Sequence, residues 1–506
     1  MRWFITFLAA TALASPVSAA WYVAQSKHFI IYADDTPKHL EEFASQLERF
    51  DQAVRYATRL DDPEIGNGNR LTVFVVPTEK DVRSLIGDKT GFFAGFYTGR
   101  VAGSLAYVPK RMDDEDPDQN AIFFHEYTHH LMHQDLQHPY PEWYSEGFAE
   151  FFSSPSFDRD GSVWLGRIVR GRAYGLLEGP QFPFESLLAG LQSGMTKEQL
   201  DVYYGRSWLL AHYLLLDAKR QGQLSAYVTA LSNGSSSVDA AHQVFGDFRQ
   251  LDRELDAYKL RPLMKFKVPA SAIHLQPISV TPLSAGGTQV VMARGKIKYG
   301  TKPPETDALA GQVGAVEARF PGDELVETTL AEAELDADHP QAARDAADRA
   351  LRTNPQSTEA MIFKGRATAD LADAAEGAAR HAMFEQARAS LIAANKLDTE
   401  DPEPLYEFYR TFLREGVRPT PNAIAALHYA SDLAPQDLGV RMNSAIAYLN
   451  EGKPKEARAT LTVVAYSPHV AEMGELAKRM IAAIDSGNPR SALMELRNQA
   501  ASQGSK

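Results

Sequence analysis

The sequence predicts an α+β domain followed by an all-α solenoid of helical repeats. Short β-rich runs alternate with an amphipathic helix in the first half of the chain, and Ala-rich helical segments recur in the second half. With 506 residues the chain is too long for one compact core. We divide it into an N-terminal segment at 1–20, the α+β domain at 21–262, a linker or small β insert at 263–321, the repeats at 322–485 and a flexible tail at 486–506.

Residues 1–20 have the order of a secretory signal peptide. Arg2 precedes an apolar run from Trp3 to Ala14, and small residues follow. The alternative is a membrane anchor, but this run is shorter than the roughly 20 residues that span a bilayer. We expect cleavage after Ala19 or Ala20, no integral membrane segment after that cleavage, and an exported protein that is periplasmic or secreted.

Charge and cysteine content narrow the classes of function. The chain has 52 basic and 65 acidic residues and a formal net charge of −13. This balance argues against a nucleic-acid partner, because non-specific binding to phosphates needs clustered Lys and Arg. The sequence contains no cysteine, so a metal site would have to be built from His and carboxylates.

The α+β domain is predicted from local patterns. Two β-rich runs, Phe29–Tyr32 and Leu71–Val76, flank Pro37–Leu60, where large apolar residues recur every three or four positions as in an amphipathic helix. A strand, helix, strand order follows. Phe92–Pro109 carries three glycines among aromatic and β-branched residues, which favours a hairpin with its turn near Thr98-Gly99-Arg100.

The second half of the chain repeats a helical pattern. Small residues restate one register at intervals of 44, 36 and 34 residues, at Ala343, Ala387, Ala423 and Ala457. The pattern over about Ala331–Ile484 resembles tetratricopeptide repeats, with an insertion near 374–380. The resemblance implies a solenoid that folds apart from the first domain and offers a concave groove to a protein partner. A plain Ala-rich helical bundle is the alternative.

The segment 121–132 has the spacing of a zinc-binding helix. It contains His125 and His129 four residues apart, so both imidazoles lie on one face of a helix, and Glu126 flanks them as a general base. A third ligand is needed to decide, because such short strings also occur without zinc. Glu146 can supply it, and Glu150, one turn further along the second helix, can accept the remaining ring N–H of a ligand histidine.

Other histidines and acids near this segment fit less well. Asp135 lies six residues after His129, but a third ligand there requires a glycine where this chain has Met132. We expect His130 and His133 to be exposed or to lie in a second layer around the site.

At these two motifs the sequence resembles the gluzincin metallopeptidases, which include thermolysin and the aminopeptidase N relatives. The match is strongest to families whose second helix reads Trp-x-x-Glu-Gly-x-Ala-Glu, here Trp143–Glu150, and it covers roughly Phe29–Leu215. It implies a zinc metallopeptidase that hydrolyses peptide bonds in a peptide or protein substrate with one zinc ion per chain. By this resemblance His125, His129 and Glu146 are the zinc ligands and Glu126 is the general base. Glu150 is the carboxylate that accepts a hydrogen bond from a ligand histidine.

The resemblance also implies an oxyanion donor and a substrate strand. Tyr204, with Arg206 and Ser207 after it, resembles the family's catalytic tyrosine at a helix start, and Tyr203 remains the alternative. Phe96–Val108 resembles the edge strand on which gluzincins bind extended substrates. No Gly-rich motif for a free amino terminus is found, which favours an endopeptidase. Rival hypotheses are a non-catalytic exported scaffold with a vestigial zinc domain, and a zinc hydrolase of a non-peptide bond.

Overall fold

A computed structural model describes most of the chain. The described residues are 21–87, 96–110, 118, 120–133, 140–180, 182–191, 194–466 and 471–494. The predicted signal peptide and Asp135 lie outside them. Among the described residues, no helix is both long and apolar enough to cross a membrane.

In the described part of the chain, nine short strands form two sheets. They are β1 Trp21–Gln25, β2 Phe29–Asp34, β3 Leu71–Val76, β4 Phe96–Thr98, β5 Leu105–Pro109, β6 Ser156–Phe157, β7 Val163–Leu165, β8 Phe266–Val268 and β9 Ser279–Pro282. The larger sheet has the order β4-β5-β3-β2-β1-β9, and the smaller has the order β6-β7-β8. Strands β2, β3 and β5 run parallel, while β1, β4 and β9 pair antiparallel with their neighbours. Of the segment Phe96–Val108 that resembles a substrate-binding edge strand, only β4 lies at the edge of the described sheet, because β5 lies between β4 and β3. The predicted hairpin is present, and its turn spans residues 99–104.

Helices accompany these strands through the first half of the described chain. They are α1 Pro37–Thr58, α2 Glu79–Ile86, α3 Ala121–Met132, α4 Glu142–Phe152, α5 Arg170–Glu178, α6 Phe184–Ala189, α7 Lys197–Leu216, α8 Gln223–Ser232, α9 Ser237–Phe245 and α10 Phe248–Tyr258. The predicted strand, helix, strand order is confirmed by β2, α1 and β3. α1 begins where the Thr36 side chain accepts a hydrogen bond from the His39 amide, with Pro37 at the first helical position.

The segment 263–321, predicted to be a linker or a small β insert, does contain two strands, β8 and β9, but they belong to the sheets of the first domain. β9 is the sixth strand of the main sheet, and two further helices follow, α11 Ala285–Tyr299 and α12 Glu305–Glu317. The run Gln289–Met292 contains two adjacent β-branched valines, which are common in strands, but it lies within α11. Val290 and Val291 are fully buried where α11 packs against its neighbours. This burial stabilises the helix although β-branched residues favour strands.

The main sheet is covered by helices on both faces. α1 and α3 pack on one face, over apolar side chains that include Ile31 and Val73. α2 and α11 cover the other face, where Val291 joins a cluster containing Phe74 and Tyr107. The Tyr107 hydroxyl donates to the Gly295 carbonyl at 2.6 Å. A residue from the segment predicted to be a linker is thus part of the core of the first domain.

The rest of the chain forms helix pairs, and the predicted helical-repeat region is confirmed. The helices are α13 Glu324–Asp336, α14 Pro340–Thr353, α15 Thr358–Asp373, α16 Gly377–Leu397, α17 Pro402–Glu415, α18 Pro421–Leu433, α19 Leu438–Asn450, α20 Pro454–Ala465 and α21 Ala471–Asp485. The four alanines that set the repeat register are fully buried in the second helix of each pair. The insertion near 374–380 goes with a longer helix, since α16 has 21 residues. Residues 489–494, predicted as part of a flexible tail, are helical.

The repeats pack against the first domain and do not form a separate body. Arg294 on α11 pairs with Glu359 on α15 at 2.6 Å, and Lys298 pairs with the same carboxylate at 3.1 Å. The Asn67 amide donates to Asp398 at 2.7 Å. Glu359 lies on α15, and Asp398 lies shortly before α17 begins. Part of the surface of the repeats is therefore covered by the first domain.

Candidate metal centre

The helix α3 carries two histidines towards one side and a packed apolar surface towards the other. Phe123, Phe124 and Leu131 are 4%, 5% and 0% exposed and pack into the core between α3 and the sheet. His125 and His129 lie on the remaining face, one helical turn apart, and their ring centroids are 4.8 Å apart.

The helix α4 brings the third candidate ligand. Glu146 is fully buried, although a carboxylate rarely is without a partner. The next residue, Gly147, lets α4 approach α7 closely, because a Cβ at this position would lie 2.2 Å from the Ser207 carbonyl oxygen. The glycine of this motif therefore sets the distance of α4, and with it the position of Glu146.

Three side-chain atoms converge at the crossing of these helices. Oε2 of Glu146 lies 3.2 Å from Nε2 of His125 and 3.6 Å from Nε2 of His129, and the two Nε2 atoms are 3.2 Å apart. Tetrahedral zinc with bonds of about 2.0–2.1 Å would hold its ligand atoms about 3.3 Å from one another. The other Glu146 oxygen, Oε1, is buried and has no hydrogen-bond partner among the described residues. The three residues thus have the donor types and the spacing that suit zinc.

The outer nitrogens of both histidines have partners. The Ser145 hydroxyl lies 3.2 Å from Nδ1 of His129, and Oε1 of Glu150 lies 3.5 Å from Nδ1 of His125. Such contacts fix the ring orientation and leave the Nε2 atoms turned to the centre. The structure therefore brings Glu150 to the position in which the sequence placed it.

Electrostatics keep the Glu146 carboxylate charged. Burial alone would raise its pKa, but the charges and hydrogen bonds of His129 and His125 outweigh burial and hold the pKa well below its ordinary value. A metal ligand must be deprotonated, so the anionic form of this buried group suits the role.

The structure distinguishes the two candidate tyrosines. Tyr204 is half-buried, and its ring centroid lies 6.1 Å from that of His125. Tyr203 is fully buried and packs against Phe182 with ring centroids 6.0 Å apart. Of these two tyrosines, Tyr204 is the one in ring contact with a candidate ligand.

Glu126 lies half-buried on α3, between the two candidate ligands in sequence. Burial raises the pKa of both Tyr97 and Tyr204, and the charge of Glu126 adds to the rise at each. The carboxylate is therefore close enough to act electrostatically on side chains from β4 and from α7.

Arg172 is a site residue that the sequence did not reveal. Its Nε lies 3.0 Å from Oε1 of Glu150, its Nη1 lies 2.6 Å from Asp201, and its Cζ lies 4.4 Å from the ring centroid of Tyr204. One guanidinium from α5 therefore orders both the carboxylate behind His125 and the candidate oxyanion donor. No fixed spacing links it to the two motifs.

His130 lies in a second layer around the candidate metal centre, which is one of the two positions that the sequence predicted for it. Its Nδ1 is 2.7 Å from the Tyr97 hydroxyl, and its ring stacks on Tyr127 with centroids 5.3 Å apart. Burial lowers its pKa to about 4, and the nearby Arg55 charge acts in the same direction. This neutral imidazole joins α3 to the edge strand β4.

A charged network beneath α3 anchors the helix. Nδ1 of His28 lies 2.7 Å from Glu48 and its Nε2 lies 2.9 Å from Asp62, while Asp51 accepts from Arg55 at 2.7 Å. His28, Asp51 and Asp62 are close enough together to suggest a second metal group. The bound guanidinium already neutralises Asp51, so we assign this cluster to ion pairing.

Comparisons with known proteins are limited to partial structural likenesses. No protein-family model matches the chain, and no curated protein matches it. A thermophilic TPR protein from Thermus thermophilus matches with a TM-score of 0.33 and 18% identity, covering 39% of this chain and 100% of that one. The protein MamA matches with a TM-score of 0.26 and 16% identity, covering 40% of this chain and 98% of that one.

Proposed function

We propose that the chain is a zinc-dependent peptidase that hydrolyses peptide bonds, with a helical-repeat region attached. The observation that carries the proposal is the convergence of His125, His129 and Glu146, whose ligand atoms are 3.2, 3.2 and 3.6 Å apart. Two histidines and one glutamate leave a coordination position open, which is the pattern of catalytic zinc sites.

His125, His129 and Glu146 would hold one zinc ion, and Ser145 and Glu150 would keep the two imidazoles in the right orientation. When bound, zinc supplies Lewis-acid activation of water and of the scissile carbonyl. A structural zinc site would instead use four protein ligands.

Glu126 is the proposed general base. It would take a proton from the attacking water and later pass that proton to the leaving amine. The role is proposed because Glu126 follows the candidate ligand His125 on α3 and is half-buried.

Tyr204 is the proposed oxyanion donor. Burial and the Glu146 charge raise the pKa of its hydroxyl, so the group keeps the proton that it must donate. Arg172 stacks on its ring at 4.4 Å and restricts where that ring can lie.

The edge strand β4 would bind an extended peptide by main-chain pairing. Endopeptidase activity is proposed because the sequence has no Gly-rich motif resembling the one that holds a free amino terminus. Export is proposed from the signal-like residues 1–20. The repeats are proposed to bind a protein partner.

Metal analysis and a peptide-library digest of the mature protein test this function. Zinc at about one per chain, together with cleavage that Glu126→Gln abolishes while zinc is retained, supports the peptidase. Zinc without cleavage of any peptide contradicts the peptidase and leaves a hydrolase of another bond or a scaffold with a vestigial zinc domain. Absence of both zinc and cleavage supports the non-catalytic scaffold.

A further inference from the structure

The turn between β4 and β5 is bound by the repeats at several points. The Val101 side chain is 8% exposed and joins an apolar cluster of the repeats. Its partners in that cluster come mainly from α17, α18 and α19 and include Tyr409, Phe412, Ala430 and Val440. The tip of a hairpin from the first domain is thus buried in the core of the second.

Polar contacts hold the same turn. The Val101 amide donates to Oδ2 of Asp437 at 2.8 Å, and Nε2 of Gln436 donates to the Ser104 hydroxyl at 3.2 Å. Gly99 packs directly on Gln436, where a Cβ would lie 2.7 Å from the Gln436 Cγ. Both ends of the turn are therefore fixed to the short connection between α18 and α19.

A third attachment joins the turn to α11. The guanidinium of Arg100 donates to the carbonyls of Lys298 and Tyr299, at 2.5 Å each. These carbonyls close the C-terminal end of α11, which favours a cation. Because Lys298 also pairs with Glu359 of the repeats, this attachment belongs to the same interface.

The strand that leads into this turn is too short to be stable alone. β4 has three residues and, within the described chain, pairs with one neighbour, β5. An edge strand of this length makes few hydrogen bonds and frays readily without further contacts. Its middle residue, Tyr97, contacts His130 of α3 and lies four residues before Val101. If the turn moved, β4 would move with it, and the contact of Tyr97 with His130 of α3 would change.

We propose that Val101 and Asp437 are positioning residues, through which the repeats hold β4 as the strand that binds an extended peptide beside the candidate metal centre. The peptide-binding part of this inference rests on the proposed function. The position of β4 does not, and it can be measured without any substrate. The repeats then complete the substrate-binding edge in addition to any partner they bind.

Amide hydrogen exchange of the full chain tests the positioning. Asp437→Asn is the gentle variant, because Oδ1 can still accept the Val440 amide at the start of α19 while the acceptor for Val101 is lost. Val101→Ala removes two methyl groups from the cluster. We expect exchange at residues 96–101 to accelerate about tenfold in each variant.

Matched variants control for general destabilisation. Val464→Ala alters a fully buried valine of α20 in an apolar cluster other than the one that holds Val101, and Asp247→Asn alters the cap of α10. Exchange at 96–101 should be unchanged in both. Wild-type exchange there in folded Val101→Ala and Asp437→Asn would overturn the proposal.

Peptide kinetics test the binding role. On extended peptides, the two hairpin variants should raise KM several-fold with kcat changed less than about twofold and zinc content unchanged, because binding is weakened before chemistry is. Unchanged KM with faster exchange would overturn the peptide-binding part. If the wild-type chain cleaves no peptide, the proposed function fails, and the exchange data alone decide whether the repeats position β4.

Discussion

The Tyr127 hydroxyl donates a hydrogen bond of 2.8 Å to Oδ1 of Asp51, which joins the helix of the candidate metal ligands to α1. Tyr127 is 2% exposed and Asp51 is fully buried, so neither group can turn to water instead. The same carboxylate binds Arg55 through its other oxygen.

Removing this hydroxyl should destabilise the chain. We expect Tyr127→Phe to cost about 1–3 kcal/mol, because a buried carboxylate oxygen is left without its donor. The measurement is the urea unfolding midpoint, followed by circular dichroism. Tyr174→Phe is the control, since Tyr174 is 62% exposed. Equal midpoints for both variants would mean that the bond contributes nothing.

His28 should make stability depend on pH in a definite direction. Burial alone would lower its pKa, but Asp51, Asp62 and Glu48 outweigh burial and raise the pKa to about 9 from 6.5. Because the folded-state pKa is higher, the stabilisation is fully present below about pH 6.5 and is lost as the pH rises through about 9.

The test compares wild type with His28→Gln between pH 6 and pH 10. The difference in unfolding free energy should fall by an amount on the order of 3 kcal/mol across this range. His39→Gln, at an exposed position of α1, is the control. A difference that grows with pH would contradict the sign.

Gly147 should tolerate no side chain. An alanine there would push α4 from α7, because its Cβ would lie 2.2 Å from the Ser207 carbonyl oxygen. We expect Gly147→Ala to reduce both the thermal midpoint and zinc affinity, as Glu146 moves with α4. Gly311→Ala in α12 is the matched control, since a Cβ there meets nothing within 4 Å and alanine favours helix. Normal zinc affinity in Gly147→Ala would show that α4 can shift without moving its ligand.

Tyr204 and Tyr203 should differ in kinetic effect. Loss of one oxyanion donor costs about 10²-fold or more in kcat, so Tyr204→Phe should lower kcat on this scale with a smaller change in KM. Tyr203→Phe should leave both kcat and stability nearly unchanged, because it keeps the ring contact with Phe182 and removes a buried hydroxyl that has no hydrogen-bond partner among the described residues. A larger kcat loss in Tyr203→Phe would shift the donor by one residue.

Truncation should show where the first domain ends. A chain of residues 21–265 lacks β9 and α11, so apolar side chains such as Val23 and Phe74 lose their cover. We expect it to be insoluble or to lack near-ultraviolet circular dichroism. A chain of residues 21–300 keeps both elements and should retain tertiary structure. A soluble, folded 21–265 chain would restore the boundary predicted from sequence.

The features of the fold and of the site that could be predicted from sequence are those that depend on the spacing of nearby residues. His125, His129 and Glu146 come from two helices that lie close in sequence, and the periodicity of each helix fixes the face of its side chains. The alanine register of the repeats was readable for the same reason. These patterns need no knowledge of distant contacts.

The parts that were missed depend on long-range packing. α11 opens with glycines and β-branched residues of low helix propensity, and burial of Val290 and Val291 against the sheet and the repeats overrides that preference. Arg172 reaches the site from a helix with no motif of its own. The contact of Val101 with Asp437 joins residues more than three hundred positions apart.

The pairing of β1 with β9 has a consequence for how the chain folds. Ala24 lies opposite Val280, so β9 cannot pair with β1 until more than two hundred intervening residues have been synthesised. Closure over such a loop is slow, because its entropy must be lost before the contacts form. Until then, the β1 side of the nascent sheet is an open edge, a surface prone to aggregation that a chaperone would have to shield.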